Sequence, residues 1–222
     1  MRKKNLQPGR RDFLRTTLTL STVFTGLTAF TPDTEHSPEP LPAGLYVIGP
    51  LEGYSPHIGT IVSMMNYNRN TILRVTKSLS MAELDFLIDQ KANSIGALLM
   101  HLGAVDKYYQ INCFEGRNEF SQKDARIWSD GLELGDAGRK NIKGKDLAHY
   151  IDLITEVREK TLAELKKRDD DWLLAVDPKF GGGKEPYNNY WKWFHVCEHE
   201  SNHRGQISFL KSRLPGAKDS TE

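Results

Sequence analysis

A chain of 222 residues is long enough for one domain with a sizeable core, and 38% hydrophobic with 27% charged residues excludes a disordered or fibrous class. The formal net charge of +1 hides an asymmetry: residues 1–31 hold six positive charges and one negative, so the remainder carries 24 positive against 28 negative, a net of −4. A mildly acidic working domain argues against nucleic acid as a partner, since such binding needs a basic face.

The chain opens on a basic head, residues 1–15, followed by an uncharged stretch from Thr16 to Thr31 that is too short and too polar for a secure membrane span. Gly9-Arg10-Arg11-Asp12-Phe13-Leu14-Arg15 resembles the twin-arginine export signal of bacteria. The resemblance implies an exported protein, periplasmic or extracellular, with residues 1–31 as signal and no stable membrane span after processing. Residues 32–44, rich in Pro and Glu, read as a linker, and residues 45–214 as the folded domain with a short tail, 215–222, behind it.

Within the domain, Leu45 to Leu51 reads as an extended lead-in. Ser55 and Pro56 then suit the N-cap and first position of a long helix, with Ile58, Ile61, Val62, Met65, Ile72, Val75 and Leu79 on its inner face. Ser80-Met81-Ala82-Glu83 is a capping-box pattern that opens one short turn. A second long helix is predicted over 93–112, with His101 flanking its apolar stripe, and a third over 145–167. Residues 114–144 read as a long polar loop with a single helical turn, and 178–189 as a glycine-bearing loop without phosphate-loop spacing. The fourth helix is predicted over 191–214. Four amphipathic helices without a strand pattern imply an all-α four-helix bundle.

The last helix carries the chemistry. His195, His199 and His203 recur every fourth residue, and His199 and His203 fall on the stripe formed by Val196, Ile207, Leu210 and Leu214. Imidazoles on a core-facing stripe need partners for their ring nitrogens, and a divalent ion satisfies two of them one turn apart. His195 lies about 12 Å along the axis from His203 at ~1.5 Å per residue, too far to share that ion. The third ligand must then come from another helix, where His101 is the best placed. His57 and His149 stand near helix starts and are expected in solvent, with His36 in the linker.

His199-Glu200-Ser201-Asn202-His203 also spells the H-E-x-x-H signature of metalloproteases, in which Glu200 would be the general base. The wider pattern fails. Gln206 and Phe209 stand where glycine and a third histidine are required, and only Glu222 remains downstream as a carboxylate.

Ser94-Ile95-Gly96-Ala97-Leu98-Leu99-Met100-His101-Leu102 with Asp106, and His199-Glu200-Ser201-Asn202-His203-Arg204-Gly205-Gln206-Ile207, resemble the DinB/YfiT family of bacterial four-helix-bundle metalloproteins. The resemblance spans 55–214. It implies that His101, His199 and His203 bind a divalent ion, the trio that spacing also selects. Zinc, nickel, iron and manganese are the candidates, and imidazole donors do not choose among them. The family includes thiol S-transferases that use bacillithiol, mycothiol or glutathione, and members without a known activity. Asp106 stands where relatives often carry glutamate.

An ion with three neutral imidazoles and open positions can activate water or a thiol. Export favours hydrolysis of a small molecule over thiol transfer, because low-molecular-weight thiols are chiefly cytoplasmic. A non-catalytic metal- or ligand-binding protein is the reading from a different class. Glu200, Glu198 and Asp106 are the candidate bases or partners of the ligands, each in competition with a plain exposed carboxylate. Cys113 and Cys197 are expected to remain unpaired, and a homodimer is left open.

Overall fold

The structure is a computed structural model, and residues 44–217 are described. The segment read as an export signal, nearly all of the segment read as a linker and the end of the tail fall outside that range. The described residues hold eight α-helices: α1 (Pro56–Thr76), α2 (Met81–Asp85), α3 (Ile95–Glu115), α4 (Gln122–Glu133), α5 (Gly135–Asn141), α6 (Leu147–Leu165), α7 (Asp170–Leu174) and α8 (Asn189–Lys211). The long helices α1, α3, α6 and α8 form the bundle. α3 packs on both α6 and α8, while α1 packs on α8. Among the described residues no helix is long and apolar enough to cross a membrane.

Local sequence explains the ends of these elements. Ser80 and Glu83 form the expected capping box at α2, and Ser94 accepts from the backbone of Ala97 to start α3. Gly116, at φ 66°, ends α3 in the left-handed conformation that glycine adopts without steric cost. Ser55 is the N-cap of α1, but its side chain caps nothing: it donates to Asp170 Oδ1 at 2.6 Å. Asp170, from α7, accepts from the backbone N–H groups of His57 and Ile58 and so caps α1 from a distance of 112 residues or more.

Three expectations need correction. Residues 114–144 are not a loop with one turn, because they contain α4 and α5. α4 is short and mostly polar and fully buries only Trp128 and Gly131, but Ala125, Trp128 and Leu132 do recur at helical spacing, a pattern the loop reading overlooked. Residues 176–188 contain a two-stranded antiparallel ribbon, β1 (Val176–Asp177) with β2 (Tyr187–Asn188), closed across a 3₁₀ turn at Phe180–Gly183. The lead-in to α1 is a run of turns, held by the Gly49 N–H donating to Ser63 Oγ at 3.1 Å.

The apolar stripes form the interior. One cluster gathers Ile72, Leu98, Leu99, Ile154, Ile207 and Leu210; a second gathers Ile58, Met65, Tyr109, Leu165, Trp193 and Val196. The long helices also send charged residues inward to one group: Arg69 from α1, Asp106 from α3, Arg158 from α6 and Glu200 from α8; Lys192, also buried on α8, pairs instead with Asp177 at 2.7 Å. Arg158 bonds Asp106 Oδ2 at 2.7 Å and Glu200 Oε2 at 2.9 Å, and Arg69 Nε bonds Glu200 Oε1 at 2.6 Å. Thr161 donates to the other Asp106 oxygen at 2.5 Å. Two cations against two anions make this buried group neutral; Arg69 Nη2 alone has no hydrogen-bond partner there and only approaches Asp106 Oδ2, at 3.9 Å.

Candidate metal centre

α3 and α8 place His101, His199 and His203 side by side, each at least half-buried. Their turn spacing puts His199 and His203 on one side of α8, and the packing of α3 against α8 brings His101 to meet them. His101 Nε2 lies 3.0 Å from His199 Nε2, and His203 Nε2 lies 3.1 Å from the same atom. All three nitrogens fall within 4.8 Å of one another. Imidazole nitrogens about 2.0–2.1 Å from a shared ion stand roughly 3 Å apart or a little more.

The outer ring nitrogens decide what the inner ones can offer. His101 Nδ1 is 2.8 Å from the carbonyl oxygen of Gly131, on α4. A carbonyl only accepts, so Nδ1 carries the proton and Nε2 of the neutral ring presents a lone pair. His203 Nδ1 is 3.0 Å from Gln206 Oε1, with the same consequence. His199 Nε2, between two bare nitrogens, has at most one proton for two contacts. One nitrogen pair is therefore left lone pair against lone pair, an arrangement that a cation resolves. The residues present fit a divalent ion.

Electrostatics point the same way. Burial lowers the pKa of His101, opposed by its bond to Gly131, and lowers that of His203, opposed by Gln206. His199 is pushed down to about 3, by burial first and then by the neighbouring imidazoles of His203, His101 and His195. The three rings are thus held neutral, the form that donates to a metal.

The close approach of α4 depends on glycine. A Cβ at Gly131 would lie 2.8 Å from Met100 Cγ and 3.2 Å from the Met100 carbonyl oxygen, one residue before His101. A side chain there would push α4 from α3 and withdraw the carbonyl that orients the ring.

His195 stays apart from the triad. Its ring stacks on Trp191 with centroids 5.1 Å apart and 3° between planes, and Nδ1 meets Glu198 at 2.9 Å. His57 and His149 are exposed at the first turns of α1 and α6, as expected.

Glu200 requires a correction. It is not an exposed carboxylate: it is 2% exposed, and both oxygens are engaged by Arg69 and Arg158, which leaves neither oxygen free for the role of base. Burial alone would raise its pKa, but the two guanidinium groups more than reverse this and hold it below the ordinary range. Asp106 is fully buried in the same group, so the exposed reading fails there too. Glu198 alone of the three carboxylates is exposed. Cys113 and Cys197 are free, and burial raises both thiols to about 12.

Sequence reasoning missed Gly131, whose signal was a glycine inside a segment read as loop. It also missed Gln206 as a partner of His203, although a residue three positions on along one helix face is within reach.

Comparison with known proteins bears on the same span. A solved structure described as a DinB-like protein from Bacillus cereus ATCC 10987 aligns with a TM-score of 0.53 over 72% of this chain and 96% of its own, at 16% identity. At that identity the likeness speaks for the fold alone. No curated protein matches the chain. A family model described as mycothiol-S-transferase matches residues 60–216, from within α1 to beyond the end of α8 and through all three histidines. The chain belongs to this mycothiol-S-transferase family, and its fold is that of a DinB-like protein.

Proposed function

We propose that the protein is a metal-dependent thiol S-transferase in which His101, His199 and His203 hold a divalent ion through Nε2. The observation that carries this reading is the convergence of three Nε2 atoms whose rings are fixed from behind by Gly131 and Gln206. The description of the matching family supports thiol transfer over hydrolysis, reversing the order that export suggested.

A divalent ion bound there supplies positive charge that lowers the pKa of a thiol beside it, so that thiolate is available near neutral pH. The chain's own residues orient the ion's ligands and exclude part of the solvent. Neither cysteine is the nucleophile, because Cys197 is buried, Cys113 is largely so, and both thiols are raised to about 12. The thiol therefore comes from a second substrate, mycothiol first among low-molecular-weight thiols. Its sulfur forms a bond to an electrophilic carbon as the bond to the leaving group breaks; the thiol proton passes to solvent, since Glu200 and Asp106 are engaged by arginines.

Zinc-loaded protein incubated with 1-chloro-2,4-dinitrobenzene and, separately, mycothiol, bacillithiol or glutathione tests the reading by mass spectrometry. The expected result is an S-conjugate with chloride released, formed in a thiol-dependent way and lost in His199→Ala. Consumption of the electrophile without thiol would establish hydrolysis instead. No conjugate with any of the three thiols would remove the transferase reading. Export by the twin-arginine route is part of the proposal, and fusion of residues 1–43 to a reporter tests it: the reporter stays in the cytoplasm if the segment is not a signal.

A further inference from the structure

A groove of about 500 Å³ runs beside the triad, between α8, the start of α3 and the segment joining α2 to α3. That size suits a small organic molecule. Its apolar wall includes Leu98 together with Ile88 and Phe209, which are 39% and 52% exposed. Large hydrophobic side chains left open in a concavity mark a binding surface more often than isolated ones do. The polar members of the lining are Asn93, Asn202 and Gln206, and no charged side chain contributes to it.

Two features tie the groove to the histidines. Gln206 accepts from His203 Nδ1 at 3.0 Å and donates to Asn202 Oδ1 at 3.3 Å, so one side chain belongs to both places. Gly205 lies in the groove lining within α8, where glycine weakens a helix relative to alanine. A Cβ there would meet nothing within 4 Å, so packing does not require the glycine. Its lack of a side chain keeps the groove open.

We infer that this groove receives the electrophilic substrate, an uncharged molecule with an apolar body. The absence of lining charge disfavours an ionised ligand, which would lose hydration without finding a counter-charge. The inference rests on the proposed function for the substrate's role, while the groove's affinity for apolar molecules is testable without turnover.

The test is titration of zinc-loaded full-length protein with Nile red, a neutral apolar dye, alongside sedimentation velocity. Wild type binds the dye with fluorescence enhancement, and Gly205→Phe, whose ring fills open space, binds it at least tenfold more weakly. Gly205→Phe keeps zinc affinity within twofold and does not lower the melting temperature. Phe209→Ala, at an exposed position, independently weakens the dye several-fold. Equal binding to wild type and both variants overturns the inference, as does no binding to wild type. A concentration-dependent dimer abolished by Gly205→Phe would also overturn it, assigning the groove to a second copy of the chain. Dye binding without thiol transfer would leave the groove standing and remove the transferase reading alone.

Discussion

His101 Nδ1 and the carbonyl oxygen of Gly131 stand 2.8 Å apart, linking α3 to a helix that contributes no imidazole to the triad. The bond fixes the tautomer of His101 and aims Nε2 at His199, which is how outer partners commonly tune a ligand. Gly131→Ala places a Cβ against Met100 and lengthens that bond. Zinc affinity should fall about tenfold, within the range of 10–100-fold typical of lost outer partners. Competition with a chromophoric chelator measures it; unchanged affinity in a folded variant would show that the carbonyl does not orient the ligand.

Glu200 and His199 are adjacent in sequence but have separate tasks. Glu200→Gln leaves Arg69 and Arg158 facing one carboxylate instead of two, and breaking a buried pair costs on the order of 3–5 kcal/mol. Urea denaturation should show a loss of that order. A general base would behave differently: stability would hold while turnover vanished.

His195 is the control within the row. Its ring is occupied with Trp191 and Glu198, so His195→Ala should leave zinc affinity within about twofold, whereas His199→Ala should abolish tight binding. Isothermal titration distinguishes the two, and equal losses would mean that the ion sits further along α8.

The depressed histidines give the metal-free protein a defined acid response. In the unfolded chain these rings take up protons near their ordinary pKa of about 6.5. In the folded chain His101, His199 and His203 resist, His199 down to about 3. The unfolded state then binds more protons as pH falls, so the contribution of these groups to stability is present above about 6.5 and declines below it, levelling off once His199 titrates. Melting temperatures of metal-free protein between pH 8 and 4 should decline from about pH 6.5, and His199→Ala should flatten that decline. A flat profile in wild type would contradict the burial of neutral rings.

Much of the site was legible because its histidines stand at helical spacing on two long helices. Spacing alone brought His199 and His203 to one face, excluded His195 by distance along the axis, and required a ligand such as His101 from elsewhere. What lay hidden depends on contacts across the chain. α4 reads as loop because it is short and mostly polar, although Ala125, Trp128 and Leu132 recur on one face of it; it delivers the carbonyl behind His101. Asp106 and Glu200 read as surface carboxylates because lone acids are seldom buried; their burial rests on arginines 52 and 131 residues away in sequence.

The central claim is that His101, His199 and His203 form one divalent-metal site. Elemental analysis of purified protein, joined to thermal melts with added zinc, nickel or manganese, tests it most directly. The account predicts one ion per chain and stabilisation of about 2.7 kcal/mol at a hundredfold excess over Kd, with both lost when any one of the three histidines becomes alanine. Folded protein that retains no ion, and whose melting temperature does not respond to any of these metals, would contradict it.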